Sequence, residues 1–453
     1  MANKSITESL AAFVAETVYE NMPNEVIAST KRRVVDTMGV AWAGSTAPGC
    51  DGARHVALTE GATGISTLWA SGEKTGCRGA AFVNGMHAAA LDYDSVYEKG
   101  SVHPDIVVVP AAWAIAEQTG ADGKAFLAAV ALGNEVACRL GSANRENRGW
   151  FFTSLHGVFG AAAAAGKLLG LDAGDICNAL GLALTRAAGT QQALIEKSLA
   201  KRAQSGFAAE AGVFAAQLAA VGVSGPREAI EGKFGYHALY GAGEHTPIVD
   251  QLGGHYESLA TAIKKYPSCT ANHVPIDLLI ETAETQDLEV GDIESVEVEL
   301  SPFADGLVGA AFDPSSNPQV AAQFSIHYSA ASALLRRKLG IAEIQDEAVF
   351  DADVAGLIPK IAVSIDTENA GKFAPAGIRI RKLDGEVLES RMDYVPGTQE
   401  NPLSDGQVAA KFRDCTNFGL HPMSEADADA FAARLTGIDG HNGLDEVFDG
   451  IHG

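Results

Sequence analysis

The sequence predicts a mainly α protein: a large all-helical domain with a smaller α+β domain inserted near its C-terminal end. Three observations carry this. Residues 1–265 are rich in Ala and Leu, with apolar side chains at helical spacing and only short β-branched runs. Residues 266–400 contain short alternating apolar segments around one helical stretch. Residues 401–453 return to helical character. A tail of that kind packs most simply on the first domain. The expected organisation is therefore 1–265 with 401–453 as the helical domain and 266–400 as the insertion. A cleft between two such domains is the default ligand site.

The elements follow in order. Residues 5–20 place Leu10, Phe13, Val14 and Val18 at helical spacing, and Pro23 lies in the break that follows. The next helix, to Gly39, carries Val26, Ile27, Val34, Val35 and Met38. Residues 122–140, 157–171 and 208–222 are Ala-rich. Small residues let helix backbones approach closely, so these read as buried helices of a thick bundle. Gly170, Gly222 and Gly225-Pro226 are stop signals. In the insertion, residues 295–300 alternate as Val296, Val298 and Leu300, and residues 360–366 and 377–381 alternate as well. Asp384-Gly385 between two such runs predicts a hairpin with a type I′ turn. Residues 321–338 read as one helix, and residues 406–412 and 426–435 as helices of the tail.

Composition narrows the function. The chain has 453 residues, 47% hydrophobic and 20% charged, enough for a large core. Its 33 Lys and Arg stand against 57 Asp and Glu, a formal net charge of -24. No basic stripe exists to displace counterions from a phosphate backbone, which argues against a general nucleic-acid binder and against docking on anionic membranes. The richest apolar run, residues 107–116, is too short to span a bilayer. The N-terminal residues show no signal-peptide pattern, and six scattered cysteines form no CxxC. A cytoplasmic protein with reduced thiols is expected.

Five segments have chemistry to offer. Asp92, Tyr93 and Asp94 precede His103 by at most 11 residues, and carboxylates near an imidazole suit general acid–base work. An N-cap Asp and a loop His would look the same. His156 stands before Gly157 and a tract of small residues, where Thr153 or Ser154 capping a helix is the plainer reading. Lys197, Lys201 and Arg202 gather just before an Ala-rich helix, and a bound anion would relieve their conflict with the helix dipole. A solvated loop is the alternative. Lys264, Lys265, Cys269 and His273 crowd the border of the insertion. One Cys and one His four residues apart make only half a zinc site, so no metal is expected. Tyr328 lies in Phe324-Ser325-Ile326-His327-Tyr328, which alone looks like core. Glycine-rich dinucleotide, P-loop, HExxH and GxSxG patterns are missing.

Taken in order, these segments resemble the MmgE/PrpD family. The resemblance runs from AAFVNG and LDYD through His103-Pro104, GVFGAAAAAGKLLGL, Lys201 with Gly206, KKYPSCTANH and FSIHY to NPLSDGQVAAKF. It implies a helical domain made from both chain ends with a small α+β lid. It also implies a homodimer, no metal or organic cofactor, and a small anionic polycarboxylate as substrate. The implied chemistry is proton abstraction next to a carboxylate: a cofactor-independent lyase resembling 2-methylcitrate dehydratase. The alternatives are an isomerase that epimerises a dicarboxylate such as iminodisuccinate, or a non-catalytic polycarboxylate-binding homologue. By position, Asp92 and His103 are expected to move protons. Lys201 and Lys264 would hold carboxylates, and His273 and Tyr328 would orient substrate or donate to the leaving group. Tyr93, His156, Gln204 and Cys269 are expected to contact substrate.

The chain also departs from the family pattern. Ala89, Phe151 and Gln204 occupy places where relatives often carry His. The place of Phe151 is one that the resemblance makes catalytic in decarboxylation, so the departures argue against cis-aconitate decarboxylation and against a simple transfer of methylcitrate dehydration, and are compatible with a different substrate, an epimerase-like reaction or a chemically impaired paralogue. His87 and His156 stand near enough in sequence to be candidates for taking over.

Overall fold

The computed structural model describes residues 5–60, 64–241 and 243–452; the first four residues of the stretch read for a leader lie outside this set. The chain divides into two compact units, one of residues up to Ile263 together with those from Val408 onward, the other Lys264–Gln407.

The first unit is a stack of helices around an almost continuous apolar core. Local signals set their ends. Ser5 and Glu8 form a reciprocal capping box at the start of Ile6–Glu16. Asp122 caps Gly123–Ala143 by accepting the Ala125 N–H at 2.8 Å. The helix Asp105–Thr119 is buried on every side from Asp105 to Ala116, which is why its apolar residues show no amphipathic stripe. The helix Phe152–Leu168 starts five residues earlier than its Ala tract suggests and packs against both Gly123–Ala143 and Ala200–Ala220. Small residues make that packing possible. A Cβ on Gly133 or Gly160 would lie 2.6 Å from the other's carbonyl oxygen, and one on Gly206 would lie 2.4 Å from the Phe82 oxygen. The last contact seats the helix Ala200–Ala220 on the helix Cys77–Ala88.

The second unit holds a four-stranded sheet in the order Ile361–Ile365, Ile293–Leu300, Ala376–Lys382, Val387–Met392, with the first pair parallel and the others antiparallel. Val296, Val298 and Leu300 are buried in a core shared with the helices His273–Thr285 and Ile326–Arg336. Two expectations need correction. The hairpin at Asp384-Gly385 is not type I′: Lys382 and Glu386 close a three-residue loop in which only Gly385 takes a positive φ. That is the type I turn with a trailing glycine bulge, which needs one left-handed residue instead of two. The single helix expected over 321–338 is two, Pro318–Gln323 and Ile326–Arg336. Ser325 breaks it by turning extended and capping the second helix through the Tyr328 N–H at 3.2 Å.

Three histidines of the first unit are buried: His87, His156 and His237. Loss of hydration pushes their imidazoles down to about 4, 3 and 4 respectively. They are neutral in the folded chain, whereas in the unfolded chain each takes a proton near 6.5. Unfolding therefore absorbs protons below that pH, and stability falls as pH falls from about 6.5 toward 4. Between pH 7 and 5 the three together are expected to remove roughly 5 kcal/mol. Asp36, pushed up to about 6 by burial, works the other way by about 1 kcal/mol over the same range. Calorimetric melting across this range checks the sum; a melting temperature flat from pH 7 to 5 contradicts it.

Candidate active site

The strongest concentration of chemistry in the first unit lies on residues 91–103. Val96–Tyr97 pairs with Thr261–Ala262 as a short antiparallel ribbon. Tyr97 and Val102 then exchange both backbone hydrogen bonds, at 2.7 and 3.1 Å, with Ser101 left-handed in the turn. This tight return brings His103 back beside residues 94 and 95. Its Nδ1 lies 2.9 Å from the Ser95 carbonyl oxygen and 2.9 Å from Asp94 Oδ2. Nδ1–H is thus the donor, the ring is held in one orientation, and Nε2 is the nitrogen available for proton transfer. The His103 N–H donates to Thr153 Oγ1 at 3.1 Å, so Thr153 anchors the site and does not cap its own helix.

Asp92 begins this loop with a φ of 53°. Asp tolerates the left-handed region better than most residues, but the conformation still costs energy and persists only where the surroundings impose it. Here Lys201 supplies part of that constraint: its Nζ lies 2.5 Å from Asp92 Oδ1. Asp92 is buried and Lys201 partly buried, so the pair is screened little by water. The close seat of Gly206 on the Phe82 carbonyl delivers Lys201 to the loop.

Behind the loop runs a chain of buried polar groups. Ser95 Oγ donates to Asp105 Oδ2 at 2.5 Å, Asn134 Nδ2 donates to Asp105 Oδ1 at 2.6 Å, and Arg33 Nε sits 3.3 Å from Asp105. Sequence reading passed over Arg33, Ser95, Asp105 and Asn134 as site residues. Asp105 opens a helix that is apolar from Ile106 to Ala116, and a charge there needs a buried partner; that was the available signal.

The remaining expected residues fall in different places. Tyr93, which lies between Asp92 and Asp94 in sequence, is buried. His156 is fully buried inside the first unit, with Nε2 hydrogen-bonded to the Tyr236 hydroxyl and its ring against Phe152. The surrounding interior keeps its imidazole neutral by loss of hydration. His87 is buried in the same way. Gln204 is a staple. Its Oε1 accepts the Thr190 N–H at 2.6 Å and its Nε2 donates to the Thr190 carbonyl at 3.2 Å. It lines a groove of about 550 Å³ with Trp150, Arg186 and Phe207.

Lys264, Cys269, His273 and Tyr328 belong to the second unit and are all buried. The Cys269 N–H donates to the Gln323 carbonyl at 2.9 Å. His273 Nε2 lies 3.2 Å from the Ser268 carbonyl, with its ring edge-on to Tyr266. The Tyr328 hydroxyl donates to the Glu343 carbonyl and accepts from Arg336 Nη1 at 3.4 Å, which engages it within its own unit. Among the described residues no cluster of three or more His, Cys, Asp or Glu could hold a metal ion, and no helix is long and apolar enough to cross a membrane.

The family models for the MmgE/PrpD N-terminal domain and the MmgE/PrpD C-terminal domain match residues 8–248 and 266–435. Over 442 residues the chain is 26% identical to a cis-aconitate decarboxylase of Aspergillus terreus, covering 91% of this chain and 89% of that one. It is also 26% identical over 431 residues to the cis-aconitate decarboxylase of Homo sapiens, covering 91% and 88%. With both models matched in order over most of its length, the chain belongs to the MmgE/PrpD family.

Proposed function

We propose that the protein is a cofactor-independent lyase that dehydrates a small polycarboxylate by abstracting a proton next to a carboxylate, as a 2-methylcitrate dehydratase does. One observation carries the reading. A single short loop presents Asp92 paired with Lys201 and, two residues on, Asp94 paired with His103. An α-proton is weakly acidic, so its removal needs a placed base and a fixed positive charge for the enediolate that forms. Asp92 and His103 Nε2 share the proton transfers. The C–H electron pair moves into the enediolate, then expels the β-hydroxyl, which leaves as water with a proton from the acid partner. Lys201 binds a substrate carboxylate and offsets the developing charge. A local cation also draws an anion to a chain whose net charge is -24. The homodimer and the cytoplasmic setting are proposed with this reading, on the family resemblance.

The relatives named above are decarboxylases. Dehydration is favoured here because Phe151 stands where the resemblance places an imidazole for decarboxylation. A proton-NMR screen of citrate, methylcitrate, aconitate and iminodisuccinate analogues in heavy water tests the proposal. The expected result is loss of an α-proton signal with growth of a vinyl signal from a citrate-type substrate, or collapse of the methyl doublet to an allylic methyl singlet from methylcitrate. Exchange without elimination identifies an epimerase, carbon dioxide release a decarboxylase, and binding without exchange a non-catalytic homologue; each of these overturns the reading.

A further inference from the structure

Lys411 lies on the tail helix Asp405–Thr416, more than 300 residues from the site loop in sequence, and is buried. Its Nζ lies 2.5 Å from Asp36 Oδ1, donates to the Tyr93 carbonyl at 2.8 Å, and stands 4.0 Å from the centre of the Tyr93 ring. One ammonium therefore grips both the backbone and the ring of the residue between Asp92 and Asp94. Asp36 is buried on the helix Asn24–Gly44, one turn beyond Arg33, which reaches the same site through Asp105.

Stability alone does not explain such a pair. Two buried charges forfeit their hydration, and an apolar pair of similar volume is often as stable or more so. The geometry offers another reason. Asp92 holds a left-handed backbone that its own preferences oppose, and the peptide that follows Tyr93 is pinned by the Lys411 hydrogen bond. We propose that Lys411 and Asp36 are positioning residues for the reaction, acting through Tyr93 to keep Asp92 in the conformation from which it meets Lys201. Asp36 holds the ammonium, the ammonium holds the loop, and the tail of the chain thereby sets the site. The proposal rests on the reading of Asp92 and Lys201 as reacting groups.

The test uses the full-length protein with Lys411→Met, and Lys411→Met combined with Asp36→Asn. The single variant strands a buried carboxylate and is expected to melt well below wild type. The double variant removes both charges, so its melting temperature is expected to return close to wild type. Its turnover is not expected to return, because the Tyr93 carbonyl still lacks its donor: kcat falls about a hundredfold while KM changes little, the signature of misplaced reacting groups. A crystal structure of the double variant is expected to show Asp92 out of the left-handed region and its contact with Lys201 lengthened. A double variant with wild-type kcat, or with Asp92 unmoved, overturns the proposal. Failure of both variants to fold overturns it too, since the pair is then structural only. If the wild type turns over no compound of the panel, the functional reading fails by itself, and the crystal structure still decides whether Lys411 sets the loop.

Discussion

Replacing Lys201 with Met is expected to lower turnover by about a thousandfold while the helical unit stays folded. Met keeps the length and apolar stem of Lys and removes only the ammonium. Two consequences follow from the 2.5 Å contact with Asp92. On the proposed mechanism the enediolate loses the cation that meets it, a loss on the order of 10² to 10³ in rate for one electrostatic donor in a water-poor site. Asp92 also loses a counter-charge while remaining buried, which disfavours its ionised form and removes a base from service. Both effects lower kcat, and loss of the carboxylate contact proposed for Lys201 raises KM as well. Lys201→Arg keeps the charge but replaces a compact ammonium with a planar fork, and should recover only part of the rate. Steady-state kinetics on the substrate found by the exchange screen, with circular dichroism as the folding control, decides the matter. Met at position 201 with undiminished turnover removes Lys201 from the mechanism.

The second large effect is expected at His103. Asn places its Nδ2 donor where the imidazole has Nδ1–H, so His103→Asn can still reach the Ser95 carbonyl and Asp94. It has nothing in the place of Nε2. The loop is then held while proton transfer is lost, and α-proton exchange in heavy water should slow by about 10² to 10⁴. Ala at the same position removes the tether as well and is expected to lose stability in addition. If the Asn variant exchanges its substrate proton at the wild-type rate, the imidazole serves only to tie the loop together, and Asp92 is left as the base.

Much of this molecule was legible in one dimension. The helix starts at Ser5 and Asp122, the alternation of Val296, Val298 and Leu300, and the glycines that bring helices together are local signals. Each is set by neighbours within about one turn or one strand pair, at a period of 2 or 3.6. The motifs at residues 92–103 and at Lys201 were visible in the same way, as residue types able to do acid–base work on an anion. The break at Ser325 and the bulge at Gly385 were missed, because one polar cap or one left-handed residue outweighs a run of favourable propensities.

What only the tertiary structure decided is which charge meets which. Lys201 finds Asp92 across 109 positions, Arg33 finds Asp105, and Lys411 reaches back 318 positions to Tyr93. It decided equally that His156 turns inward to Tyr236 and that Gln204 spends both ends of its amide on Thr190. Such pairings leave no period in the sequence. A Lys or Asp reads the same whether it faces water or a partner. Only the packing of helices around a dry interior, where an unmatched charge is costly, selects the partner.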